Sequence, residues 1–246
     1  SSIEDFKKIA KKSFKDYRKK YVKYFNTNKK KVKGKKTMLD TSPRVILVQN
    51  VGLFSVGDSL NASKIAGDLT ETNARVISSV EETTKYKFIP EKDLFDVEYW
   101  SLEQAKIKKA KKILQGNVVV ITGGFGAIGS ATYKLFKSYG AEIVLLDYDS
   151  NKVKEMQSKI KDLCLHCDVR NKNSVKNAFK IISEQYGGID ILISNAGTAV
   201  GGSIAEVDDK ILRKSFEDNF FSHQNCASET IKTVSYTHLT LPTRAQ

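Results

Sequence analysis

The chain has 246 residues, 40% of them apolar and 28% charged, with a formal net charge of +13. That length can bury one or two cores, and the longest apolar runs are strand-sized, far short of the ~18 residues that a membrane span needs. The charged N-terminus lacks the apolar stretch of a secretory signal, and Cys164, Cys167 and Cys226 are too few for a disulfide framework, so a cytoplasmic protein with no membrane contact is expected.

The charge is concentrated at the start. Residues 1–36 hold fifteen Lys or Arg against three acids, and the remainder is close to neutral. Such a cluster can hold phosphates by counterion release, which makes a nucleic-acid-binding module one alternative function. No recognition motif accompanies it, and the reading taken is a solvated, Lys-rich helix pair with a loop at Asn26 to Lys36, so no nucleic-acid partner is expected. Ile3, Phe6, Ile9, Ala10 and Phe14, then Tyr17, Tyr21 and Tyr24, recur at helical spacing and form an apolar stripe to dock.

After the low-complexity run KKKVKGKK, Pro43 introduces a strand over Arg44 to Val48, then a turn marked by Gly52 and Gly57. A long helix is predicted from about Asn61 to Val80, with Ala62, Ile65, Ala66, Leu69, Ala74, Ile77 and Val80 as its buried face. Residues 91–115 read as a connecting segment, with a helix capped by Ser101 and Gln104 that runs through AKIKKAKK. Tyr99 and Trp100 are expected to pack one region on the other.

From Gly116 strands and helices alternate. Strands are predicted at Asn117 to Ile121, Glu142 to Leu146, Leu163 to Cys167 and Asp190 to Ser194. Helices are predicted from about Ala127 to Tyr139, from Ser150, from Asn173 to Tyr186 and from about Asp208 to Lys232. The implied fold is α/β, a doubly wound parallel sheet with helices on both faces. After Thr233 the tail VSYTHLTLPTRAQ contains Pro242 and breaks the helical pattern.

The chemistry begins at TGGFGAIG, Thr122 to Gly129, which follows a strand and opens a helix. Gly124, Gly126 and Gly129 have G-x-G-x-x-G spacing. The first permits a tight turn, the second lets backbone approach a pyrophosphate, and the third packs helix on strand, with the phosphates on the helix N-terminus. Asp147, at the end of EIVLLD, is placed to bond ribose hydroxyls. A carboxylate there disfavours a 2′-phosphate, so NAD is favoured over NADP.

TGGFGAIG, Asp147, the run Cys167-Asp168-Val169 and the run Asn195-Ala196-Gly197 resemble, in order and spacing, the short-chain dehydrogenase/reductase family. The resemblance implies an NAD(P)-binding Rossmann fold, with cofactor contacts from Gly123, Gly124, Phe125, Gly126, Ile128, Gly129 and Asp147. Asp168 and Val169 would border the adenine, and Asn195, Ala196 and Gly197 would steady the sheet beside the cofactor. Asn219, in SFEDNFF, matches the helix asparagine that supports the family's proton relay. One departure is that Ala127 stands where the family usually has a glycine. The family's catalytic Ser, Tyr and Lys lack counterparts here. Tyr133 and Lys137 have the Y-x-x-x-K spacing but lie in the first helix after the glycine turn, and Ser235 and Tyr236 have Thr240 where the Lys is required.

Residues 39–69 together with DLFDVEYWSLEQAKIKK resemble the bifunctional rhamnulose-1-phosphate aldolase/alcohol dehydrogenase family, in which a class II aldolase region precedes a short-chain dehydrogenase. On that resemblance residues 1–100 are the trailing, C-terminal part of an α/β aldolase-like region, 101–115 a connecting helix and 116–233 the front half of the dehydrogenase domain. The tail 234–246 resembles read-through sequence and is expected not to be native, and the start lacks Met, so truncation at both ends is expected. The family's aldolase metal is held by histidines and no His precedes His166, so no metal is expected. The parent enzyme implied is a homo-oligomer that moves a hydride between NAD and a small alcohol or hydroxy-aldehyde of the lactaldehyde type. The fragment itself is expected to be inactive, and a catalytically silent NAD-binding protein is the other alternative. Cys164 and Cys167, with His166 between them, are read as structural, and His223 as a packing or interface residue.

Overall fold

A 26-residue helix, α1 (Ile3–Asn28), opens the computed structural model, which describes residues 3–102, 112–199, 201–203 and 205–238. The chain divides into two compact units, Ser1–Lys111 and Lys112–Gln246. The expected helix pair is one continuous helix, because no Gly or Pro interrupts the sequence before Gly34, and a short 3-10 turn at Lys29–Lys31 ends it. Its apolar stripe docks only at the C-terminal end. Phe25 packs with Phe95 and Tyr99, while Ile3, Phe6 and Ile9 are exposed.

Two short strands follow, β1 (Val45–Val48) and β2 (Gly52–Ser55), paired antiparallel in the register Val48↔Gly52. The glycine punctuation expected to be only a turn is therefore the start of a second strand. Helix α2 (Leu60–Glu81) is capped by the Ser59 hydroxyl, which accepts from the Ala62 N–H at 3.1 Å. No residue of α2 is fully buried, and Ile65, Leu69 and Ala74 are exposed, so the expected buried face is at most half covered. Helix α3 (Glu91–Glu98) carries Phe95 into the small aromatic core. Tyr99 is fully buried within this first unit and Trp100 is exposed, so the pair does not act together. Most of the predicted connecting helix, residues 103–111, lies outside the described residues. Its expected end does not form, because residues 113–116 make a turn instead.

The second unit has the predicted alternation. It runs β3 (Val118–Thr122), α4 (Ala127–Ser138), β4 (Glu142–Asp147), α5 (Ser150–Lys159), β5 (Leu163–His166), α6 (Lys172–Tyr186), β6 (Ile191–Ile193), α7 (Asp209–Phe216) and α8 (Ser222–His238). Capping acceptors start three of these helices: Asp149 for α5, Asn171 for α6 and Asp208 for α7. Gly187, in the left-handed conformation, closes α6. Between α7 and α8 the backbone widens into a π turn, Glu217–Phe221. The helix predicted to end near Lys232 continues to His238, so the pattern break expected after Thr233 is absent as far as the backbone is described.

The four strands are parallel, in the order β5-β4-β3-β6. All five residues of β3 are buried, and alternate side chains feed two cores. Val118, Val120, Val144 and Leu146 meet Val175, Phe179 and Ile182 of α6 on one face. Val119, Ile121, Ile143 and Leu145 meet Val153 of α5 and Tyr133 and Phe136 of α4 on the other. Each such aliphatic side chain contributes roughly 1.5–3 kcal/mol by burial. The chain order reverses between β3 and β6, so a crevice opens beyond the carboxyl ends of these two strands.

Candidate cofactor site

The turn after β3 is shaped by its glycines, each for a different reason. Gly123 has φ +63, a left-handed conformation that side chains resist, so it makes the tight turn that the sequence suggested for Gly124. An added Cβ on Gly124 would lie 2.9 Å from Leu145 of β4, and one on Gly129 would lie 2.2 Å from the Gly123 carbonyl oxygen. These two positions are glycine because the protein packs against them. At Gly126 the nearest atom to an added Cβ would be 3.4 Å away, which is ordinary contact. The protein's own packing leaves Gly126 free to carry a side chain.

Gly126 is also the N-cap of α4 and supplies no side-chain acceptor, so it leaves the first N–H groups of α4 without a side-chain cap of its own. Ile128 in the first turn is largely exposed beside them, and Phe125 is half-buried against the α4 core. Asp147 ends β4 and is largely buried. Its Oδ2 accepts the Phe125 N–H at 3.1 Å and its Oδ1 accepts the Asp149 N–H at 3.2 Å. The carboxylate therefore borders the glycine turn, and each oxygen keeps a lone pair for a further donor.

Thr122 joins the two strands that flank the crevice. Its hydroxyl oxygen accepts N–H groups from Asn195, at 2.9 Å, and Ala196, at 3.0 Å. The Asn195 amide donates back to the carbonyls of Thr122 and Gly123. Asn195 and Ala196 thus hold the end of β6 to the turn after β3. Gly197 is glycine because an added Cβ would meet the Asn219 Oδ1 at 2.6 Å. Asn219 sits in the π turn, where its Oδ1 accepts the Thr198 N–H and its Nδ2 donates to the carbonyls of Thr198 and Ser215. π turns of this kind recur at functional sites.

Asp168 and Val169 lie just past β5. The Arg170 guanidinium forks onto Asp168, with Nε on Oδ1 and Nη2 on Oδ2, both at 2.9 Å, and holds that carboxyl below the usual carboxylate range. Thr122, Thr198, Arg170 and Asp218 were not singled out from the sequence. Thr122 opens the glycine motif and Arg170 follows Asp168-Val169 directly, so adjacency was the available signal for both. Thr198 and Asp218 had none.

Tyr133 and Lys137 both serve Asp162. The Tyr133 hydroxyl donates to Oδ2 at 2.9 Å and Lys137 Nζ to Oδ1 at 2.5 Å. Burial and then the Asp162 hydrogen bond push the Tyr133 phenol up to about 12. A catalytic tyrosine needs the opposite shift, so the Y-x-x-x-K spacing is a structural clasp. Cys164 and Cys167 enter the cores on opposite faces of the sheet and form no pair. Among the described residues there is no cluster able to hold a metal ion and no helix long and apolar enough to cross a membrane. His223 Nδ1 and Ser194 Oγ share a hydrogen bond of 2.6 Å at the end of β6.

Comparison with known proteins divides the chain as the contacts do. Residues 117–238 match the family described as short chain dehydrogenase, and residues 1–107 match aldolase class II, second domain. An uncharacterized oxidoreductase, YuxG, of Bacillus subtilis is 29% identical over 195 residues, covering 76% of this chain and 28% of that protein. Short chain aldehyde dehydrogenase 1 of Euphorbia lathyris is 38% identical over 116 residues, covering 45% of this chain and 40% of that protein. The chain therefore spans well under half the length of these relatives. Among solved structures, a short-chain dehydrogenase/reductase of Brucella melitensis aligns with 23% identity and a TM-score of 0.47, over 50% of this chain and 54% of that one.

Proposed function

Residues 117–238 belong to the short chain dehydrogenase family and residues 1–107 to the class II aldolase second-domain family, and from that premise we propose that this chain is the NAD-binding portion of an oxidoreductase. The observation that carries the reading is Gly126, open to ligand at the switch point while its neighbours are closed by the protein's own packing. Gly123 to Gly126 and the start of α4 receive the pyrophosphate. Asp147 accepts from ribose hydroxyls and repels a 2′-phosphate, which selects NAD over NADP. Asp168 and Val169 border the adenine. Asn195, Ala196 and Gly197 fix the crevice floor, and Asn219 holds the loop at Thr198.

NAD supplies the hydride acceptor when bound. The whole protein would oxidise a small alcohol or hydroxy-aldehyde, of the lactaldehyde type by family resemblance. Among the described residues, Tyr133 and Lys137 are committed to Asp162 and do not supply that proton transfer. The chain as it stands binds cofactor without turnover.

Titration calorimetry with NAD and NADP tests the reading. NAD should bind more tightly than NADP, and Asp147→Ala should weaken NAD about tenfold or more, the scale of a hydrogen bond to a charged group. Equal affinity for the two cofactors, or an unchanged Asp147→Ala variant, would remove the ribose assignment. Lactaldehyde-dependent NADH formation by this chain would overturn its assignment as inactive.

A further inference from the structure

We propose that Arg170 is a positioning residue that ties the two ends of the cofactor crevice together, holding Asp168 directly and the Thr198 loop through Asp218. The proposal rests on the NAD reading above. β5 and β6 are not neighbours, because β4 and β3 lie between them. Arg170, just past β5, nevertheless reaches the π turn that faces the loop after β6. Its Nη1 lies 3.5 Å from Asp218 Oδ1, and Asp218 Oδ2 accepts the Thr198 hydroxyl at 2.8 Å. Asp218 is only 7% exposed, and Arg170 is its one ion pair among the described residues. A carboxylate so buried needs that cation.

The other side of the tie is equally constrained. Arg170 occupies both oxygens of Asp168, and its backbone N–H adds a third contact at 3.0 Å. Asn225 of α8 donates to the carbonyls of Val169 and Arg170, while its own Oδ1 is buried with no partner among the described residues. One polar atom is thus left unsatisfied where residues 169–170 are pinned to the helix that follows the π turn. Thr198 is itself held by its N–H, its carbonyl and its hydroxyl, all by side chains of the π turn. The adenine end and the Thr198 loop therefore move as one body through Arg170 and Asp218.

The test uses the full chain as wild type, Arg170→Gln, Asp218→Asn and the double variant, with thermal melts to check folding. Calorimetry reads AMP and NAD affinity, and amide exchange reads protection at Thr198. Asp218 borders the loop rather than the adenine end, yet Asp218→Asn should weaken AMP about three- to tenfold, and the double variant should be no weaker than the worse single one. AMP binding within twofold of wild type in Asp218→Asn, or losses that multiply in the double variant, would overturn the tie. If Asp218→Asn does not fold, Arg170→Gln and Arg170→Lys decide: the first should lose Thr198 protection and the second should recover part of it. If the wild type binds neither ligand, the cofactor reading fails by itself. Thr198 protection in Arg170→Gln then still decides, since protection equal to wild type would sink the tie and lost protection would support it.

Discussion

At Gly129 an added Cβ would lie 2.2 Å from a carbonyl oxygen, and at Gly126 the nearest atom would be 3.4 Å away. The two glycines of one motif therefore answer to different demands. Gly129→Ala must displace backbone, which should cost about 1–3 kcal/mol and lower the melting temperature. Gly126 has φ −72, which Ala adopts without strain, so Gly126→Ala should leave stability within about 0.5 kcal/mol of wild type. It should nonetheless weaken NAD severalfold or more, because the added methyl occupies the approach to the backbone. A Gly126→Ala protein that melts early, or that binds NAD unchanged, would contradict this division. The cysteines make a second case at this scale. Burial pushes the Cys164 and Cys167 thiols up to about 11 and the Cys226 thiol up to about 12. The thiolate is the reactive form, so at pH 8 a disulfide reagent such as DTNB should leave all three unmodified in the folded chain and titrate all three in denaturant. Rapid reaction of any of them in the native protein would show that the core around it opens.

Between α1 and α3 the fastening is a carboxylate shared by two tyrosines. Glu98 accepts from the Tyr21 hydroxyl at 2.5 Å and from the Tyr24 hydroxyl at 2.8 Å, and the Tyr21 and Tyr99 hydroxyls lie 2.7 Å apart. Burial first, then Glu98, push Tyr21 and Tyr24 well above the ordinary tyrosine range. A phenol raised in this way keeps its proton in the folded state at a pH where the unfolded chain has lost it. The stabilisation is therefore complete below about pH 10 and is lost as the pH climbs from there through the folded values. Melting temperatures should fall with pH above about 10, and tyrosinate absorbance near 295 nm should rise together with unfolding. Tyr133 and Tyr186, each pushed up to about 12 chiefly by burial, add to that fall in the second unit. Glu98→Gln removes the charge that raises Tyr21 and Tyr24, so the variant's melting temperature should decline less steeply with pH. Identical slopes would mean that burial alone sets these phenols.

Over the whole molecule, what sequence reasoning could read follows from how local each signal is. The strands VVVIT and EIVLLD are continuous apolar runs, and Asp149, Asn171 and Asp208 mark helix starts within two residues, so the parallel half and its glycine turn were legible. The β1–β2 hairpin was not. It depends on Asn50 at φ 61 and on a Gly52 that belongs to a strand while reading as a turn. The π turn has no periodic signature, and Arg170 meets Asp218 only because the fold carries the end of β5 and the π turn to one place. Composition gave α1 its helical form but not its cover, since charge does not say what a stripe will meet. That leaves the charge itself with a consequence for the whole chain. Fifteen cations against three acids in residues 1–36 repel one another, and pairs such as Lys7 with Glu4 offset little of this on an exposed helix. Raising salt from about 0.01 M to 0.15 M shortens the screening length from about 30 Å to 8 Å, which relieves repulsion between successive turns. Helicity measured by circular dichroism at pH 7 should therefore rise modestly with salt in the full chain. A decline would mean that ion pairs hold α1 more strongly than its like charges oppose it, and the solvated-face reading of the N-terminus would have to give way to one in which its charges are paired.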